Sequence, residues 1–156
     1  MTSPTPNDLL PRIDYRDHFH MTTEREEFTS IDDFLNHLVL RQPTWLTKVS
    51  MGERDSGTLT AAVAEGMVPT GSAIGNWKVF ERGDSWAILG EDMAFLRYRL
   101  LYEWIDEHTV EASTTVMYPK RLGQLYWGLA KWGHRRFLPM MLRNAASGRC
   151  SVTQLA

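Results

Sequence analysis

The chain has 156 residues, which is enough for one ordinary domain with a core of its own. Hydrophobic residues make up 43% and charged residues 23%, which excludes disordered and fibrous classes. The only cysteine, Cys150, excludes an intrachain disulfide and a cysteine-based metal site. The N-terminus lacks a secretory-signal pattern, and no apolar run approaches the roughly 18 residues of a spanning helix. We therefore expect a cytoplasmic protein without a transmembrane segment.

The net charge of −2 hides an asymmetry along the chain. All 19 acidic residues lie at or before Glu111. Residues 1–111 also contain ten Lys and Arg, so their net charge is −9, whereas the remaining residues carry seven Lys and Arg and no Asp or Glu. This pattern indicates either a basic surface for an anionic partner or a cationic helix that lies against an acidic body, and we favour the second. A nucleic acid is not expected as a partner, because the chain is net acidic and has no recognised reader motif.

The predicted elements begin with a lead-in and a strand. Residues 1–13 carry three prolines and predict a flexible lead-in, and the alternation in DYRDHFHMT predicts the first strand. Ser30 precedes IDDFLNHLVL, with Asp33 three residues further on, which predicts a capped helix. Pro43 ends that helix or opens a second short one through PTWLTKV. Residues 58–75 fit a helix, a strand or a loop about equally.

A β-rich segment starts at Trp77. NWKVFE and SWAILG predict a hairpin, because Gly83 and Asp84 between them suit the positive φ angles of a tight turn. AFLRYRLLYEWI and TVEASTTVMYP predict two longer strands, so we expect an antiparallel meander. In the first of these strands the tyrosines fall on one face and the arginines on the other.

The segment LGQLYWGLAKWGHRRFLPMML predicts one long helix between Lys120 and Ala146. Pro139 is expected to kink this helix, and Gly148 to end it. Placing residues at 100° intervals puts Gln124, Lys131 and Arg135 on a polar side. The opposite, apolar face is expected to pack on the sheet and comprises Leu122, Leu125, Tyr126, Leu129, Trp132, Gly133, Phe137 and Met140.

The order of these elements predicts an α+β fold of helix-grip type. A strand, two short helices, antiparallel strands and a long C-terminal helix require a curved antiparallel sheet that wraps around that helix. We expect a single helix-grip domain at residues 14–148, after a flexible lead-in at 1–13 and before a C-terminal tail at 149–156.

Three segments carry a resemblance to a known family. GNWKVF, ILGEDMAFLRYRL and RLGQLYWGLAKWGHRRFLPMMLR resemble the uncharacterised bacterial DUF2867 family, which looks like a branch of the START and Bet v 1-like (SRPBCC) superfamily. The resemblance spans most of residues 14–146, and it implies a helix-grip fold with a hydrophobic pocket. The chain departs from the family pattern at Phe95 and at Pro119 and Lys120, where the family tends to have polar residues. The resemblance therefore does not extend to chemistry that needs those polar groups.

Three polar residues are candidate catalytic groups. His134 lies at the border of the apolar face, close in angle to Trp127, Ala130, Leu138 and Met141, where an imidazole can move a proton near neutrality. Glu91 and its neighbour Asp92 form an acidic pair that can share acid and base roles. Arg99 can clamp an anionic group in bidentate fashion. Each has a plainer interpretation, as a boundary histidine, a surface turn and a solvated strand face.

Aromatic residues and two histidines are candidate ligand-binding groups. Aromatic side chains with polar ends are typical of ligand pockets, although a plain core is the alternative. The predicted aromatic lining is Trp77, Tyr98, Tyr102, Tyr118 and Tyr126. His18 and His20 project from one face of the first strand and Asp17 from the other. Two histidines can begin a metal site, but without an identifiable third ligand we predict no metal, and no motif indicates a cofactor.

These observations lead to three functional hypotheses. The first is a pocket protein for a small apolar molecule, either ring-containing or lipid-like. The second is a cofactor-independent enzyme of cyclase, isomerase or dehydratase type, as in bacterial secondary metabolism, that uses the same cavity. The third is an interaction module that docks through its cationic helix on an acidic partner or an anionic membrane. A homodimer is an open alternative to a monomer.

Overall fold

The computed structural model describes residues 2–46, 73–74 and 77–155. Within these residues lie helices α1 (Ile31–Leu40) and α2 (Arg121–Ala145) and a short 3-10 helix at Pro6–Asp8. The strands are β1 (Tyr15–Thr23), β2 (Ala73–Ile74), β3 (Trp77–Arg82), β4 (Trp86–Asp92), β5 (Arg97–Asp106), β6 (Thr109–Met117) and β7 (Cys150–Leu155). They form one antiparallel sheet in the order β2-β3-β4-β5-β6-β1-β7. This confirms the α+β class and the meander, and it is compatible with a helix-grip-like arrangement.

Helix α1 begins at the predicted cap. The Ser30 hydroxyl accepts a hydrogen bond from the Asp33 amide at 3.1 Å, and the Asp33 carboxylate accepts one from the Thr29 amide at 2.9 Å. These two bonds satisfy donors that a helix start otherwise leaves free. Residues 44–46 are helical, but the rest of the predicted second short helix, and the ambiguous segment 58–75 apart from β2, lie outside the described residues.

The β3–β4 hairpin closes where the sequence predicts it, for a different reason. The Gly83 amide donates to the Trp86 carbonyl at 2.9 Å. The predicted positive φ angles are wrong, because within the described ranges only Ser147 and Gly148 have a positive φ. A Cβ at Gly83 would lie 2.3 Å from Trp86 Nε1, so the turn needs a glycine for space.

Both faces of the sheet are covered. The inner face carries Leu100 and Tyr102 of β5, which join α1 and α2 in the main core. On the outer face, Trp86, Ile88 and Leu101 are buried, and Leu9 of the N-terminal segment packs against them. Residues 2–13, predicted to be a flexible lead-in, thus include a segment that lies against the sheet.

The C-terminal residues add a strand to the sheet where the sequence predicts only a tail. Helix α2 ends at Ala145. Gly148 has a φ of 74°, and its amide donates a hydrogen bond to the Arg143 carbonyl at 2.7 Å. This confirms that Gly148 ends the helix. Strand β7 then pairs antiparallel with β1. The apolar alternation of β7 is short, because Cys150 and Val152 pack against the main core while the other four side chains are exposed, and two such residues are too few to predict a strand.

Helix α2 packs through a different face from the predicted one. Leu122, Leu125, Leu129 and Trp132, expected against the sheet, are 58%, 66%, 77% and 70% exposed. The buried residues are instead Gly123, Trp127, Leu138, Met141, Leu142 and Ala145. A Cβ at Gly123 would lie 1.8 Å from the Phe95 carbonyl oxygen, so this close approach selects the side of the helix that meets the sheet. Averaged apolarity around the helix does not register a glycine contact of this kind.

Candidate functional site

A cavity of about 630 Å³ lies between α2 and the inner face of the sheet. Trp77 of β3, Tyr98 and Leu100 of β5, and Trp127 and Phe137 of α2 form much of its wall. Most of the other lining side chains are also aliphatic or aromatic, including Leu96, Leu129, Trp132, Leu138 and Met141. Pockets of a few hundred Å³ with apolar walls and few polar groups are typical of small-molecule sites.

Helix α2 is anchored on both sides of this cavity. Near its start, Gly123 meets the Phe95 carbonyl and the Trp127 ring packs edge-on against Tyr15 at 5.3 Å. At its end, residues 138–145 enter the main core. Between these anchors, Ala130 and Gly133 face the cavity with almost no side chain. The absence of bulk at these two positions helps to leave the space open.

A buried polar pair lies at the cavity wall. His134 Nε2 of α2 is 3.0 Å from Asp17 Oδ2 of β1, and the two side chains are 17% and 1% exposed. The Thr114 hydroxyl of β6 lies 3.1 Å from the same nitrogen. Asp17 and Thr114 face each other in the β1–β6 register, so the sheet itself positions both partners of the histidine.

The surroundings of Asp17 favour its charged form. Burial raises the pKa of the Asp17 carboxyl, but the hydrogen bond and charge of His134, with donors on Tyr15 and Thr114, outweigh burial and hold this pKa below its usual range. The Tyr15 hydroxyl donates to Asp17 Oδ2 at 2.9 Å. Burial, opposed by a hydrogen bond from Arg135, raises the pKa of Tyr15 to about 12, so Tyr15 keeps this proton near neutrality.

The pair has the geometry of a carboxylate-oriented imidazole. When Nε2 donates its proton to the Asp17 carboxylate, the lone pair of the neutral ring resides on Nδ1. Within the described residues Nδ1 has no hydrogen-bond partner, and His134 lines the cavity. A histidine held in this way can accept a proton from a bound molecule and return it.

A second polar pair lines the same cavity. Glu91 and Tyr98 face each other across β4 and β5, and the Tyr98 hydroxyl donates to Glu91 Oε2 at 3.2 Å. Burial, and then the charge of Glu91, raise the pKa of Tyr98 above its usual range. Tyr98 therefore stays protonated near neutral pH, and the cavity gains a hydrogen-bonding group apart from His134.

The structure brings together five of the residues that the sequence proposed for the site. Trp77, Glu91, Tyr98, Tyr126 and His134 all line the cavity. Their positions come from β3, β4, β5 and α2, which lie far apart in the chain and meet because the meander and the helix share one face of the sheet.

Three other proposed residues lie elsewhere. Arg99 is on the outer face, where it pairs with Asp92 at 2.8 Å and stacks over the Phe80 ring at 3.6 Å. Tyr102 is fully buried in the main core, so it supports the fold and does not line the cavity. Tyr118 borders a smaller, more open depression of about 380 Å³ at the start of α2. The proposed anionic clamp at Arg99 is thus separated from the cavity by the sheet.

The two histidines of β1 also point away from the cavity. His18 and His20 alternate with buried Asp17 and Phe19, as predicted, so they lie on the outer face. His18 Nε2 lies 3.3 Å from a Glu111 carboxylate oxygen. Among the described residues, no group of three or more potential ligands is arranged to hold a metal ion.

Sequence reasoning missed Asp17, Thr114 and Tyr15 as members of the site. A signal was present in β1, where Asp17 occupies the buried row that otherwise carries Phe19 and Met21. A carboxylate in such a row requires a partner, because an unpaired buried charge is costly. The alternation of β1 places Asp17 in one row with Phe19 and Met21, but only the fold shows that this row faces inward and supplies His134 as the partner.

No family model, no curated protein and no solved structure matches this chain. Helices α1 and α2 are not long and apolar enough to cross a membrane.

Proposed function

We propose that the protein binds a small apolar molecule, ring-containing or lipid-like, in the cavity beneath α2. The observation that carries this proposal is the cavity itself, about 630 Å³ with walls that are mainly aromatic and aliphatic. Its volume falls in the range of a few hundred to a thousand Å³ that small-molecule sites occupy. Burial of apolar ligand surface against these walls supplies the driving force.

The polar groups of the wall indicate what else the ligand carries. Two hydrogen-bonded groups lie at the cavity, Glu91 with Tyr98, and His134 with Asp17 and Thr114. The Tyr98 and His134 Nε2 protons are already donated within these groups, so a ligand hydroxyl would find an acceptor at His134 Nδ1 or at the Glu91 carboxylate, whereas a pure hydrocarbon would leave these acceptors unpaired. We therefore expect a predominantly apolar molecule with one or two oxygen substituents.

Two glycines of α2 provide a matched test. Gly133 lines the cavity, whereas Gly128 is exposed and a Cβ there would meet nothing within 4 Å. Gly133→Leu should fill the cavity and weaken binding of the fluorescent apolar probe N-phenyl-1-naphthylamine by about tenfold or more. Gly128→Leu makes the same chemical change outside the cavity and should bind the probe as the unsubstituted protein does.

Circular dichroism and thermal unfolding establish that both variants are folded. Equal probe binding by the two folded variants would contradict the proposal, as would an unsubstituted protein that does not bind the probe. Native mass spectra under gentle and denaturing conditions supply a second measurement, because a molecule retained from expression should be present in the unsubstituted protein and depleted in Gly133→Leu.

A second function is favoured by the Asp17–His134 pair. A buried carboxylate that orients a cavity-lining imidazole is more than ligand binding requires, and it matches the arrangement of a general base. We propose as the alternative a cofactor-independent isomerisation, cyclisation or dehydration, in which His134 removes a proton from the bound molecule and returns it to another atom. The Tyr98 hydroxyl gives its one proton to Glu91, so its oxygen can accept a hydrogen bond from a hydroxyl group of the bound molecule.

This alternative is tested with the molecule that the mass spectra identify. If His134 acts as a general base, His134→Gln should lower turnover by about 10² or more while ligand binding is retained. Asp17→Asn should also lower turnover, because it alters the orientation of the ring. Turnover unaffected by His134→Gln would exclude the proton-transfer role, and a ligand that emerges unchanged from the unsubstituted protein would leave binding as the function.

A further inference from the structure

The outward side of α2 carries an unusual row of apolar side chains. Leu122, Leu125, Leu129 and Trp132 follow one another at spacings of three, four and three residues, so they align along the helix. All four are more than half exposed, and the row lies roughly opposite the residues that pack on the sheet. Single exposed apolar residues are ordinary, but a contiguous row marks an interaction surface.

Cations accompany this row. At 100° per residue Arg136 falls within the row, and Arg121 falls along one edge of it. The Arg136 guanidinium lies over the Trp132 ring at 5.2 Å. No carboxylate occurs anywhere after Glu111, and no Lys or Arg of α2 forms an ion pair with a carboxylate of the described residues. The surface is therefore locally cationic although the whole chain is net acidic.

We infer that this outward face of α2 docks on an anionic lipid bilayer, with the helix axis parallel to the membrane surface. Leucine and tryptophan side chains beside arginines are the composition of interfacial helices, whose apolar side enters the headgroup region while cations contact acidic lipids. A long arginine side chain that lies along an indole ring can keep its charge at the headgroup level. Charge complementarity thus identifies an anionic bilayer as the partner of this face.

A second copy of the chain fits this surface less well. The spacing of the apolar row resembles a coiled-coil seam. However, pairing of two α2 helices would bring the arginines beside the two rows together, and neither helix has a carboxylate to neutralise them. Like charges along such a seam oppose association. The anionic bilayer supplies the countercharge that a second α2 lacks.

Docking would place the cavity at the lipid surface. Leu129 and Trp132 belong both to the apolar row and to the cavity wall. A bilayer in contact with the row is therefore in contact with the rim of the cavity, and an apolar molecule can pass between them without crossing water. This consequence rests on the proposed function, whereas the docking itself does not.

The first experiment compares vesicles of phosphatidylcholine alone with vesicles that also contain phosphatidylglycerol, in a co-sedimentation assay. A double variant, Leu122→Ser with Leu125→Ser, lacks two apolar side chains of the row and leaves the cavity lining unchanged. Ile105→Ser is the matched control, because Ile105 is an exposed apolar residue at the end of β5. The unsubstituted protein and the control should bind the anionic vesicles, and the double variant should bind at least tenfold more weakly.

A second set of variants reverses the charge of arginines inside and outside the proposed docking surface. Arg121→Glu with Arg136→Glu should lower binding to the anionic vesicles by tenfold or more, and Arg97→Glu, an exposed arginine at the start of β5, should not. Binding should also weaken as salt is added. Equal binding to both kinds of vesicle, or to neither, would overturn the inference.

Two controls separate docking from the other outcomes. Dimerisation in analytical ultracentrifugation that the double leucine variant abolishes would overturn the inference and identify the row as a self-interface. Binding of N-phenyl-1-naphthylamine in the absence of vesicles tests the cavity alone, and the double leucine variant should retain it. Loss of probe binding by Gly133→Leu with vesicle binding intact would show that the two sites fail independently.

Discussion

The two ends of α2 and its middle differ in what they contact, although they belong to one continuous helix. The ends are anchored, at the first turn by Gly123 against the Phe95 carbonyl and at the last turns by Leu138 and Leu142 in the main core. The middle, residues 128–137, spans the cavity on one side and presents apolar side chains outward on the other. A helix can therefore be held by its ends while its middle remains available for binding.

The largest effect should come from the C-terminal anchor. Leu142→Ala removes a fully buried side chain from the main core and should lower the free energy of unfolding by about 3 kcal/mol. Leu129→Ala makes the same change in the exposed middle and should lower it by less than about 0.5 kcal/mol. Urea denaturation measures both. Similar losses at the two positions would mean that the middle is also part of the core.

The next effect should come from the N-terminal anchor. A Cβ at Gly123 cannot coexist with the Phe95 carbonyl oxygen, so Gly123→Ala should displace the helix start and cost about 2 kcal/mol. Gly128→Ala has open space and should stabilise the protein by up to about 1 kcal/mol, because alanine favours a helix interior. Thermal unfolding should show a lower melting temperature for Gly123→Ala and a higher one for Gly128→Ala. An unchanged melting temperature for Gly123→Ala would contradict the close approach of Gly123 to Phe95.

A smaller, pH-dependent effect should come from the buried pair beneath the middle. The pKa of Asp17 is lowered by folding, so its contribution to stability is complete above the unfolded-state pKa of about 4 and is lost as the pH falls through the folded-state pKa. Asp17→Asn should cost about 1–2 kcal/mol near pH 7 and make unfolding less dependent on pH in the acid range. Urea denaturation at several acidic pH values measures this effect. The prediction fails if the free energy of unfolding depends on pH equally in Asp17→Asn and in the unsubstituted protein.

The smallest effect should come from Tyr15, which supports Asp17 from β1. Tyr15→Phe removes the hydrogen bond to the carboxylate and should cost about 1 kcal/mol near pH 7. The loss of this donor should also raise the pKa of Asp17, so acid unfolding should begin at a higher pH. A folded Tyr15→Phe protein with an unchanged acid transition would show that His134 and Thr114 alone hold the charge.

Local patterns predicted much of the fold because their causes are local. Ser30 and Asp33 cap α1 through backbone amides a few residues away, and Gly148 ends α2 through a bond to Arg143. Three of the neighbours assigned to His134 by helical angle, Trp127, Leu138 and Met141, are among the buried residues of α2. Elements and local faces of this kind follow from periodicity over a few turns.

The candidate site was predicted only in part. Trp77, Tyr98 and Tyr126 were chosen as aromatic residues in strands and a helix, and they line the cavity, but the same reasoning also chose Tyr102, which is plain core. Composition and alternation do not distinguish a cavity wall from a packed interior. That difference depends on how far the helix stands from the sheet.

The amino-acid sequence alone determined the order of the elements from β3 to α2, the alternation of β1 that separates Asp17 from His18 and His20, and the amphipathic character of α2. Tertiary structure decided which side of α2 meets the sheet, because Gly123 allows a close approach to Phe95 and the side that carries Leu138 and Leu142 fits the main core. It also brought Asp17, Thr114 and His134 together from β1, β6 and α2. Contacts of this kind join residues distant in the chain, and they exist only once the sheet and the helix have packed.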